Sequence, residues 1–599
     1  MRLIFIGLLT LLFVTFTPVF AEEDIKLEVF YPKMGEEINA SSVFVVGNTD
    51  PKAKLAINNK QAKVYPNGAF VEITPLYRGC NTINIVATKE HAEKKLKLLI
   101  NVPEYQKTIP SSPMKIEESS VQPSQNILYK PGDVIGVSFK ASTGQKAYFS
   151  IGEKVKDIPM KEQSPKKVFA APIFGKETQV SEGMVSGIYK GYYKIKPQDN
   201  FNNEAIKVKI VSNAGEKTAF AKGKISTMHP ELHPVVAEVI KDYAITRNAP
   251  GKSRLTELPQ GTMLNITGKV GNNYRFNYSD SMEGWISQGD IRIYPAGSFI
   301  PESDVRLFNV EQDEKNVYLK VPLSEKLPFI IEQTAPDEMF LKIYGAVGDL
   351  ALFSYGQTKN FIEEVKWIQE DKDTLKLFVK TGTNQFWGYN YYWQGDTLVL
   401  KLRKPPLINP VMPLKDIIVA IDPGHGGYEK GAMGPTGVPE KDINMAVSNR
   451  LKAILEEKGA KVIRTRTDDS YVGLYDRVDI ANDYNPHVIL SIHNNSLPYG
   501  RNPYEEHGTS TYYYYSQSLP LAKRLHENVI NATGFKDFGV FYSSFVLTRP
   551  IEAPSVLLEL GFMINPEEYN QLITPEFQEK TAQGIAKGLE EFLLDQVEK

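Results

Sequence analysis

Cysteine is almost absent from this sequence. Cys80 is the only cysteine among 599 residues, so the chain can form no internal disulfide, and its stability must come from hydrophobic cores or bound metal. For Cys80, which follows Gly79, we expect a small buried apolar side chain rather than a reactive thiol.

An excess of charge of one sign is also missing. The sequence has 69 Lys and Arg residues against 71 Asp and Glu residues, a net charge of −2. Strong non-specific binding to nucleic acid depends on a basic surface that neutralises phosphates. We therefore expect no nucleic-acid partner.

Long apolar runs are confined to the first residues. Met1 and Arg2 precede an apolar stretch from Leu3 to Phe16, and small residues at Val19 and Ala21 stand before an acidic segment. This pattern predicts a signal peptide, 1–21, cleaved after Ala21. An uncleaved membrane anchor is the alternative, although the stretch is short for a span. We expect an exported protein, periplasmic or extracellular, with no transmembrane segment after cleavage.

A chain of this length exceeds one hydrophobic core, and about four to five domains are expected. Short apolar runs between turns such as Asp50-Pro51 and Pro66-Asn67-Gly68 predict a β-sandwich over 24–104. This stretch resembles the Ig-like modules of secreted bacterial enzymes. The residues 105–126 are rich in Pro and Ser, which indicates a linker.

Two further β-rich blocks follow the linker. The first, 127–226, matches no family that we recognise. The second, 236–295, carries Leu258-Pro259-Gln260-Gly261 and Gly284-Trp285-Ile286 and resembles bacterial SH3-like barrels, which often bind cell-wall peptides. Trp285 is either a core residue of the barrel or part of a binding groove.

Alternating apolar residues over 303–403 predict half-buried antiparallel strands. This block resembles the AMIN-type modules that precede some cell-wall amidases, a resemblance that implies a regulatory or divisome partner for the β modules. A Pro-rich linker, 404–414, leads into the last domain.

The C-terminal domain, 415–599, alternates strands with helices. This order predicts an α/β domain with a mostly parallel sheet covered on both faces. A helix is expected to start at Glu440 and to end at Gly459, and another to start with Thr574 as its N-cap and Pro575 as its first residue.

Three residues of types that bind metals stand at the ends of these elements. His425 lies in Asp422-Pro423-Gly424-His425-Gly426-Gly427, directly after an apolar strand; Glu440 opens a helix; and His493 ends the strand starting at Val488. Two imidazoles and one carboxylate are three ligands of a tetrahedral site, which leaves a fourth position for water.

Several motifs in this domain occur together in one family. They are Asp422 to Gly427, Glu440-Lys441, Thr465-Arg466-Thr467-Asp468-Asp469, Ser491-Ile492-His493-Asn494-Asn495 and Glu559-Leu560-Gly561-Phe562. In this order they closely resemble the zinc-dependent N-acetylmuramoyl-L-alanine amidases. The resemblance implies a secreted hydrolase of the autolysin kind that cleaves peptidoglycan between the lactyl group of N-acetylmuramic acid and L-alanine.

The same resemblance implies individual roles. One Zn²⁺ would be bound by His425, Glu440 and His493, and Glu559 would be the catalytic residue, transferring a proton from water to the leaving amine. Asn495 and Arg549 lie near positions of substrate contacts in the family. Asp422 either orients His425 or caps the turn before Pro423.

Two other functions fit parts of the sequence. A non-catalytic scaffold that binds the cell wall needs only the β modules, whereas a zinc peptidase acting on the stem peptide would use the same ligands. The remaining histidines of this domain, His487, His507 and His526, show no ligand spacing and are expected to be structural or solvated.

Overall fold

A computed structural model describes residues 25–103, 108–164, 166–169, 181–213, 215–295, 297–349, 354–355 and 361–597. The predicted signal peptide, 1–21, lies outside the described residues.

Over the described ranges, we find no helix that combines the length and the apolar character needed to cross a membrane.

Seven strands at the N-terminus form two sheets around one core. They are β1 Leu27–Tyr31, β2 Ser42–Thr49, β3 Lys54–Ile57, β4 Lys60–Ala62, β5 Ala69–Pro75, β6 Gly79–Lys89 and β7 Ala92–Val102. The sheet orders are β1-β2-β5 and β4-β3-β6-β7. Side chains alternate between the two faces of a strand, and the inward ones, such as Val43, Ile57 and Ile85, make up the core.

The prediction of a buried Cys80 is wrong, because this side chain is exposed. Cys80 lies on β6, where Ile83, Ile85 and Ala87 face the core. The cysteine has the opposite parity and therefore points to the outer face.

The next two β-rich blocks are joined in one 15-stranded sheet. Its strands, with the separate β13-β14 hairpin, are β8 Ile116–Gln122, β9 Ile127–Tyr129, β10 Val134–Ala141, β11 Lys146–Ile151, β12 Val155–Glu162, β13 Lys166–Phe169, β14 Ser181–Val185, β15 Ile188–Lys194, β16 Glu204–Ser212, β17 Gly215–Thr227, β18 Val235–Val239, β19 Tyr243–Arg247, β20 Arg254–Pro259, β21 Met263–Val270, β22 Asn273–Ser279, β23 Met282–Ser287 and β24 Ile291–Ile293. The junction is β9, which pairs in parallel with β17 and antiparallel with β21.

The structure places a strand inside the stretch predicted as a linker. β8 pairs antiparallel with β10, and its buried Ile116 and Val121 belong to the core of the block that follows. The Pro- and Ser-rich composition around β8 indicated a linker, but the two apolar side chains of this strand pack in the core at the edge of the sheet.

The β-rich block over 303–403 shares its core with the block over 236–295. Its strands are β25 Ser303–Val305, β26 Asn309–Gln312, β27 Asn316–Pro322, β28 Phe329–Ala335, β29 Glu338–Tyr344, β30 Ala346–Gly348, β31 Ser354–Tyr355, β32 Ile362–Asp371, β33 Thr374–Thr381, β34 Tyr389–Gln394 and β35 Thr397–Arg403. They form sheets of order β31-β26-β27-β35-β34, β28-β29-β33-β32 and β25-β30. One hydrophobic cluster runs from Ala237 to Leu402, and the rings of Tyr278 and Tyr344 meet in it at 5.0 Å.

The C-terminal domain is a mixed sheet of six strands with five helices. The strands are β36 Ile418–Pro423, β37 Lys461–Arg464, β38 Val488–Asn495, β39 Thr509–Tyr513, β40 Asp537–Tyr542 and β41 Ser555–Phe562. The helices are α1 Glu440–Glu457, α2 Leu474–Asn482, α3 Leu519–Thr533, α4 Pro566–Leu572 and α5 Pro575–Asp595. The sheet order is β37-β36-β38-β41-β39-β40, and only the β39–β41 pair is antiparallel among the described pairings.

Both faces of this sheet are covered. Helices α1, α3 and α5 pack on one face through apolar stripes such as Ile443, Val447 and Leu451 of α1. Small residues, Ala420 and Ala481, let α2 approach the other face. The predicted starts of α1 at Glu440 and of α5 after Thr574 are confirmed, and the Thr574 hydroxyl accepts a hydrogen bond from the Phe577 N–H at 3.3 Å.

Residues outside the C-terminal domain complete its packing. Trp387, in the loop before β34, is fully buried in the core of the C-terminal domain, with its ring 5.5 Å from that of Phe592 on α5. The N-terminal sandwich packs on the opposite end through a small cluster that includes Phe44, Leu497 and Phe562.

We expect Trp387→Ala to destabilise the C-terminal domain by about 3–5 kcal/mol, because truncating a fully buried aromatic leaves a cavity. Denaturant unfolding of the full chain, followed by the loss of α-helical signal, measures this effect. Phe299→Ala is the matched control, since Phe299 is 97% exposed; equal midpoints for both variants would contradict the packing role of Trp387.

Candidate active site

His425 is presented by a turn that only glycine-rich sequence can form. The residue follows β36 and has a φ of 60°, and the flanking Gly426 and Gly427 also have positive φ. A Cβ at Gly424 would lie 2.2 Å from the His493 ring, so glycine at 424 allows the imidazole to lie against the backbone.

Glu440 is fixed at the first turn of α1. Its Oε2 accepts a hydrogen bond from the Ala432 N–H at 2.9 Å, and its Oε1 accepts from the Asn494 N–H at 3.0 Å and the Asn444 Nδ2 at 3.1 Å. The side chain is buried. These bonds orient both carboxylate oxygens toward the two histidines.

The structure brings the three predicted ligands together. His425 Nε2 lies 3.2 Å from Glu440 Oε2, and His493 Nδ1 lies 3.1 Å from Glu440 Oε1. One ligand atom from each residue lies within 4.8 Å of the other two. A tetrahedral zinc ion with bonds of about 2.0–2.1 Å separates its ligand atoms by roughly 3.3 Å, so this donor set fits the ion in chemistry and in spacing.

The histidines determine the charge of Glu440. Burial alone would raise the pKa of this carboxyl, but hydrogen bonds from His425 and His493 and their charges hold it well below its usual value. Conversely, burial would lower the pKa of His425, whereas the bond to Glu440 raises it. The glutamate is therefore an anion, as a metal ligand must be.

A buried ion pair holds the turn that carries His425. Asp422 Oδ1 accepts hydrogen bonds from Arg477 Nη1 at 2.8 Å and from the Thr465 hydroxyl at 2.5 Å, and its Oδ2 accepts from the Ser491 hydroxyl at 2.7 Å. Burial would raise the pKa of Asp422, but the Arg477 charge and these hydroxyls lower it. Arg477 Nη2 in turn donates to the His425 carbonyl at 2.7 Å.

These contacts bear on the two interpretations left open for Asp422. No hydrogen bond joins its carboxylate to the His425 ring among the described residues. The carboxylate instead fixes Arg477, which binds the backbone of the turn at Pro423 and His425. Asp422 therefore acts on the turn through an arginine.

Arg466 and Arg477 are structural residues of the site that sequence reasoning left without a role. Arg466 donates to the carbonyls of Pro423, Gly424 and Lys441, at 2.8, 3.1 and 3.0 Å, and so ties the turn to α1. Arg466 stands in a motif recognised in the sequence, but which carbonyls the two arginines bind depends on the tertiary fold.

Glu559 lies beside the cluster on the neighbouring strand. β41 pairs with β38 so that Glu559 is opposite His493. Its Oε2 is buried and has no hydrogen-bond partner within the described part of the chain. Burial, with the negative charge of Glu440, raises the pKa of Glu559 well above its usual value.

The site opens into a cavity of about 360 Å³, which we call the catalytic pocket. Its lining residues are Asp422, His425, Glu429, Gly431, Leu474, Arg477, His493 and Leu547. The two predicted substrate contacts lie elsewhere. Asn495 is buried at the end of β38, where its carbonyl accepts from the Met563 N–H at 2.8 Å. Arg549 lines a neighbouring cleft, and its Nε donates to the Ser544 hydroxyl at 2.8 Å.

The other histidines of the domain have their own partners. His487 Nδ1 accepts from the Ile418 N–H at 3.0 Å, and burial lowers its pKa to about 4. His507 pairs with Glu568 at 2.8 Å, and His526 pairs with Asp537 at 2.9 Å. These contacts support structural roles.

The N-terminal sandwich braces the loop that precedes Glu440. The Tyr31 hydroxyl accepts a hydrogen bond from the Met433 N–H at 3.0 Å, and Asn48 Nδ2 donates to the Pro435 carbonyl at 3.2 Å. The loop is therefore held from outside the C-terminal domain.

An α/β domain with two imidazoles, a carboxylate and a further half-buried glutamate at one edge of its sheet defines a hydrolytic enzyme. Comparison with known proteins agrees: residues 419–591 match the family model described as N-acetylmuramoyl-L-alanine amidase. The chain belongs to this family and is an enzyme of this class, a peptidoglycan amidase. The family expected from the motifs is thus confirmed.

Individual relatives, like the family model, match about a third of this chain. A sporulation-specific N-acetylmuramoyl-L-alanine amidase of Bacillus subtilis is 35% identical over 178 residues, which are 29% of this chain and 67% of the relative. The uncharacterized protein YqiI of the same organism is 34% identical over 197 residues, 32% of this chain and 93% of that protein. The catalytic domain of CwlV from Bacillus (Paenibacillus) polymyxa is 37% identical, covering 30% of this chain and 98% of that domain, with a TM-score of 0.28.

These similarities do not classify the N-terminal blocks. The resemblances to Ig-like, SH3-like and AMIN-type modules, and the boundaries given to them, stay predictions.

We expect Asp422→Asn to destabilise the C-terminal domain by about 3–5 kcal/mol, because the isosteric amide removes the charge that compensates buried Arg477. The same variant should bind zinc about 10–100-fold more weakly, as the turn carrying His425 loses its support. Thermal unfolding and competition with a chromogenic chelator measure the two effects.

The matched control is Asp483→Asn, at an exposed position just after α2. If Asp422→Asn unfolds and binds zinc as this control does, the ion pair does not hold the turn.

Proposed function

We propose that this enzyme hydrolyses the amide bond between the lactyl group of N-acetylmuramic acid and the L-alanine of the stem peptide, with one Zn²⁺ held by His425, Glu440 and His493. When bound, the ion supplies Lewis-acid chemistry, which polarises a carbonyl and makes water acidic near neutral pH. The observation that carries the proposal is the pairing of Glu559 with His493 across adjacent strands, which sets a buried, unpartnered carboxylate oxygen beside the donor set.

Glu559 is the proton carrier in this proposal. Its Oε2 takes a proton from the attacking water, and the water oxygen bonds to the lactyl carbonyl carbon. Glu559 gives this proton to the amide nitrogen as the carbon–nitrogen bond breaks, so that the products are a lactyl carboxylic acid and the free amine of L-alanine.

The remaining residues of the site hold this geometry. Asn444 and the Asn494 N–H keep Glu440 in place, and Arg477 and Arg466 fix the turn of His425. Asn495 and Arg549 remain proposed substrate contacts, of which Arg549 would reach substrate from the cleft beside the pocket.

We also propose that residues 1–21 direct export, so that the enzyme acts in the periplasm or in the cell wall outside the membrane. A substrate that lies outside the cytoplasm supports this assignment. A regulatory or divisome partner for the β modules stays a prediction.

Metal analysis tests the ligand set. The purified enzyme should contain about one zinc per chain, and His493→Ala should lower zinc affinity by more than about 100-fold, since loss of a direct ligand exceeds the effect of an outer-shell partner. Elemental analysis after dialysis measures the content, and chelation should abolish activity until zinc is restored. His233→Ala, at an exposed histidine of the N-terminal region, should keep its zinc; equal metal content in both variants would refute the ligand assignment.

The role of Glu559 is tested by Glu559→Gln. This variant should retain zinc but lose about 10³-fold in kcat, within the range of general acid–base contributions, because an amide cannot accept the proton. Turnover is measured as new amines released from purified peptidoglycan. Glu576→Gln, exposed on α5, is the control with normal turnover.

Product analysis separates the proposed reaction from its alternatives. Intact glycan strands with free lactyl groups and new N-terminal L-alanine are expected. New amines from peptide–peptide bonds would show a stem-peptide peptidase instead, and wild-type rates in Glu559→Gln would remove Glu559 from the mechanism.

A further inference from the structure

A second cavity, of about 650 Å³, lies between three parts of the chain. Its walls come from β20 and its neighbours, from β28 and β34, and from the C-terminal domain. We call it the interdomain cleft. Its volume is within the range of about 300–1,000 Å³ typical of ligand sites.

The interdomain cleft shares a wall with the catalytic pocket. This wall consists of α2 and the 3-10 turn Val546–Thr548, which pack on each other. Leu474 and Leu547 line the catalytic pocket, whereas the adjacent Tyr475 and Val546 line the cleft. Leu474 and Tyr475 are 56% and 55% exposed, so the rim between the two cavities is open to solvent and a polymer can lie across it.

Tyrosines line the cleft in two groups of touching rings, in which Tyr389 and Tyr391 are buried whereas Tyr542 and Tyr243 are exposed. The ring contacts are Tyr542 to Tyr514, stacked at 5.1 Å; Tyr514 to Tyr515 at 4.9 Å; Tyr515 to Tyr389 at 6.1 Å; and Tyr243 to Tyr391 at 6.0 Å. Tyr542 is 65% exposed, and Tyr475 at the rim is 55% exposed. Exposed aromatic faces bearing hydroxyl groups suit the flat apolar faces and polar edges of pyranose rings.

Charged groups in the cleft favour a neutral ligand over an anionic one. Four carboxylates line it, Glu257, Glu332, Asp479 and Glu552, against two guanidinium groups, Arg254 and Arg549. Arg254 is paired with Glu257 at 3.1 Å and hydrogen-bonds the Tyr475 hydroxyl. The carboxylates of a stem peptide would be repelled by this lining, whereas the hydroxyl and N-acetyl groups of amino sugars can bond to both kinds of side chain.

We propose that the interdomain cleft binds the glycan strand of the substrate, a neutral polymer of N-acetylated amino sugars, while the stem peptide of one sugar enters the catalytic pocket. The proposal rests on the proposed function for the identity of the polymer. It gives the β modules a direct part in substrate binding, because β20, β28 and β34 supply one side of the cleft.

Binding of a peptide-free sugar tests the cleft separately from catalysis. The probe is a hexamer of β-1,4-linked N-acetylglucosamine, which carries no lactyl–alanine bond. The full-length protein should bind it, and Tyr542→Ala and Tyr475→Ala should each weaken binding about five- to ten-fold by calorimetry. Tyr192→Ala is the matched control, since Tyr192 is 63% exposed on β15, outside the cleft; it should bind as the unaltered protein does.

A kinetic measurement complements the binding experiment. The ratio of kcat/KM for long glycan strands to kcat/KM for a single muramoyl-peptide should fall about five-fold or more in Tyr542→Ala and should not change in Tyr192→Ala. The proposal would be overturned if the protein did not bind the hexamer, or if the cleft bound free stem peptide and no sugar. Hexamer binding without hydrolysis of any muramoyl-peptide would instead refute the proposed function and leave the sugar site standing.

Discussion

The buried ion pair between Asp422 and Arg477 is the constraint on which the site depends. Both side chains are almost inaccessible to solvent, at 1% and 2% exposure, and a charge in such a position is tolerated only when it is paired and hydrogen-bonded. The pair restrains the glycine turn, because Arg477 binds the carbonyls on both sides of Gly424. The glycines permit the turn, and the ion pair selects one conformation of it.

The catalytic edge is assembled by the sheet and completed by its neighbours. The turn after β36 carries His425, β38 carries His493 and β41 carries Glu559, so adjacent parallel strands deliver three of the four residues to one edge. Glu440 comes from a helix and depends on a long loop for its position. That loop is the part of the site held by the N-terminal sandwich through Tyr31 and Asn48, and the sandwich therefore contributes to the position of Glu440.

Local patterns predicted the elements and the donor set, but not the contacts between distant parts of the chain. The starts of α1 and α5 followed from Glu440 and Thr574, and the strand ends at His425, His493 and Glu559 were visible as apolar runs. The sequence did not predict that two β blocks share one sheet. This sharing depends on the three-residue strand β9, which pairs with residues about 100 and 140 positions away. The prediction of a buried Cys80 was wrong because a shift of one residue along a strand moves a side chain to the opposite face. The backbone carbonyls bound by Arg466 and Arg477 could not be predicted either, because such contacts leave no sequence pattern.

The position of Trp387 has a consequence for how such chains evolve. Its side chain belongs to the core of the C-terminal domain, although the residue precedes β34 and β35 of the neighbouring block. Recombination at the Pro-rich segment 404–414 would therefore separate an enzyme core from one of its own side chains. Loss or exchange of the block before the C-terminal domain is therefore expected to be accompanied by compensating changes in the core residues around the position of Trp387.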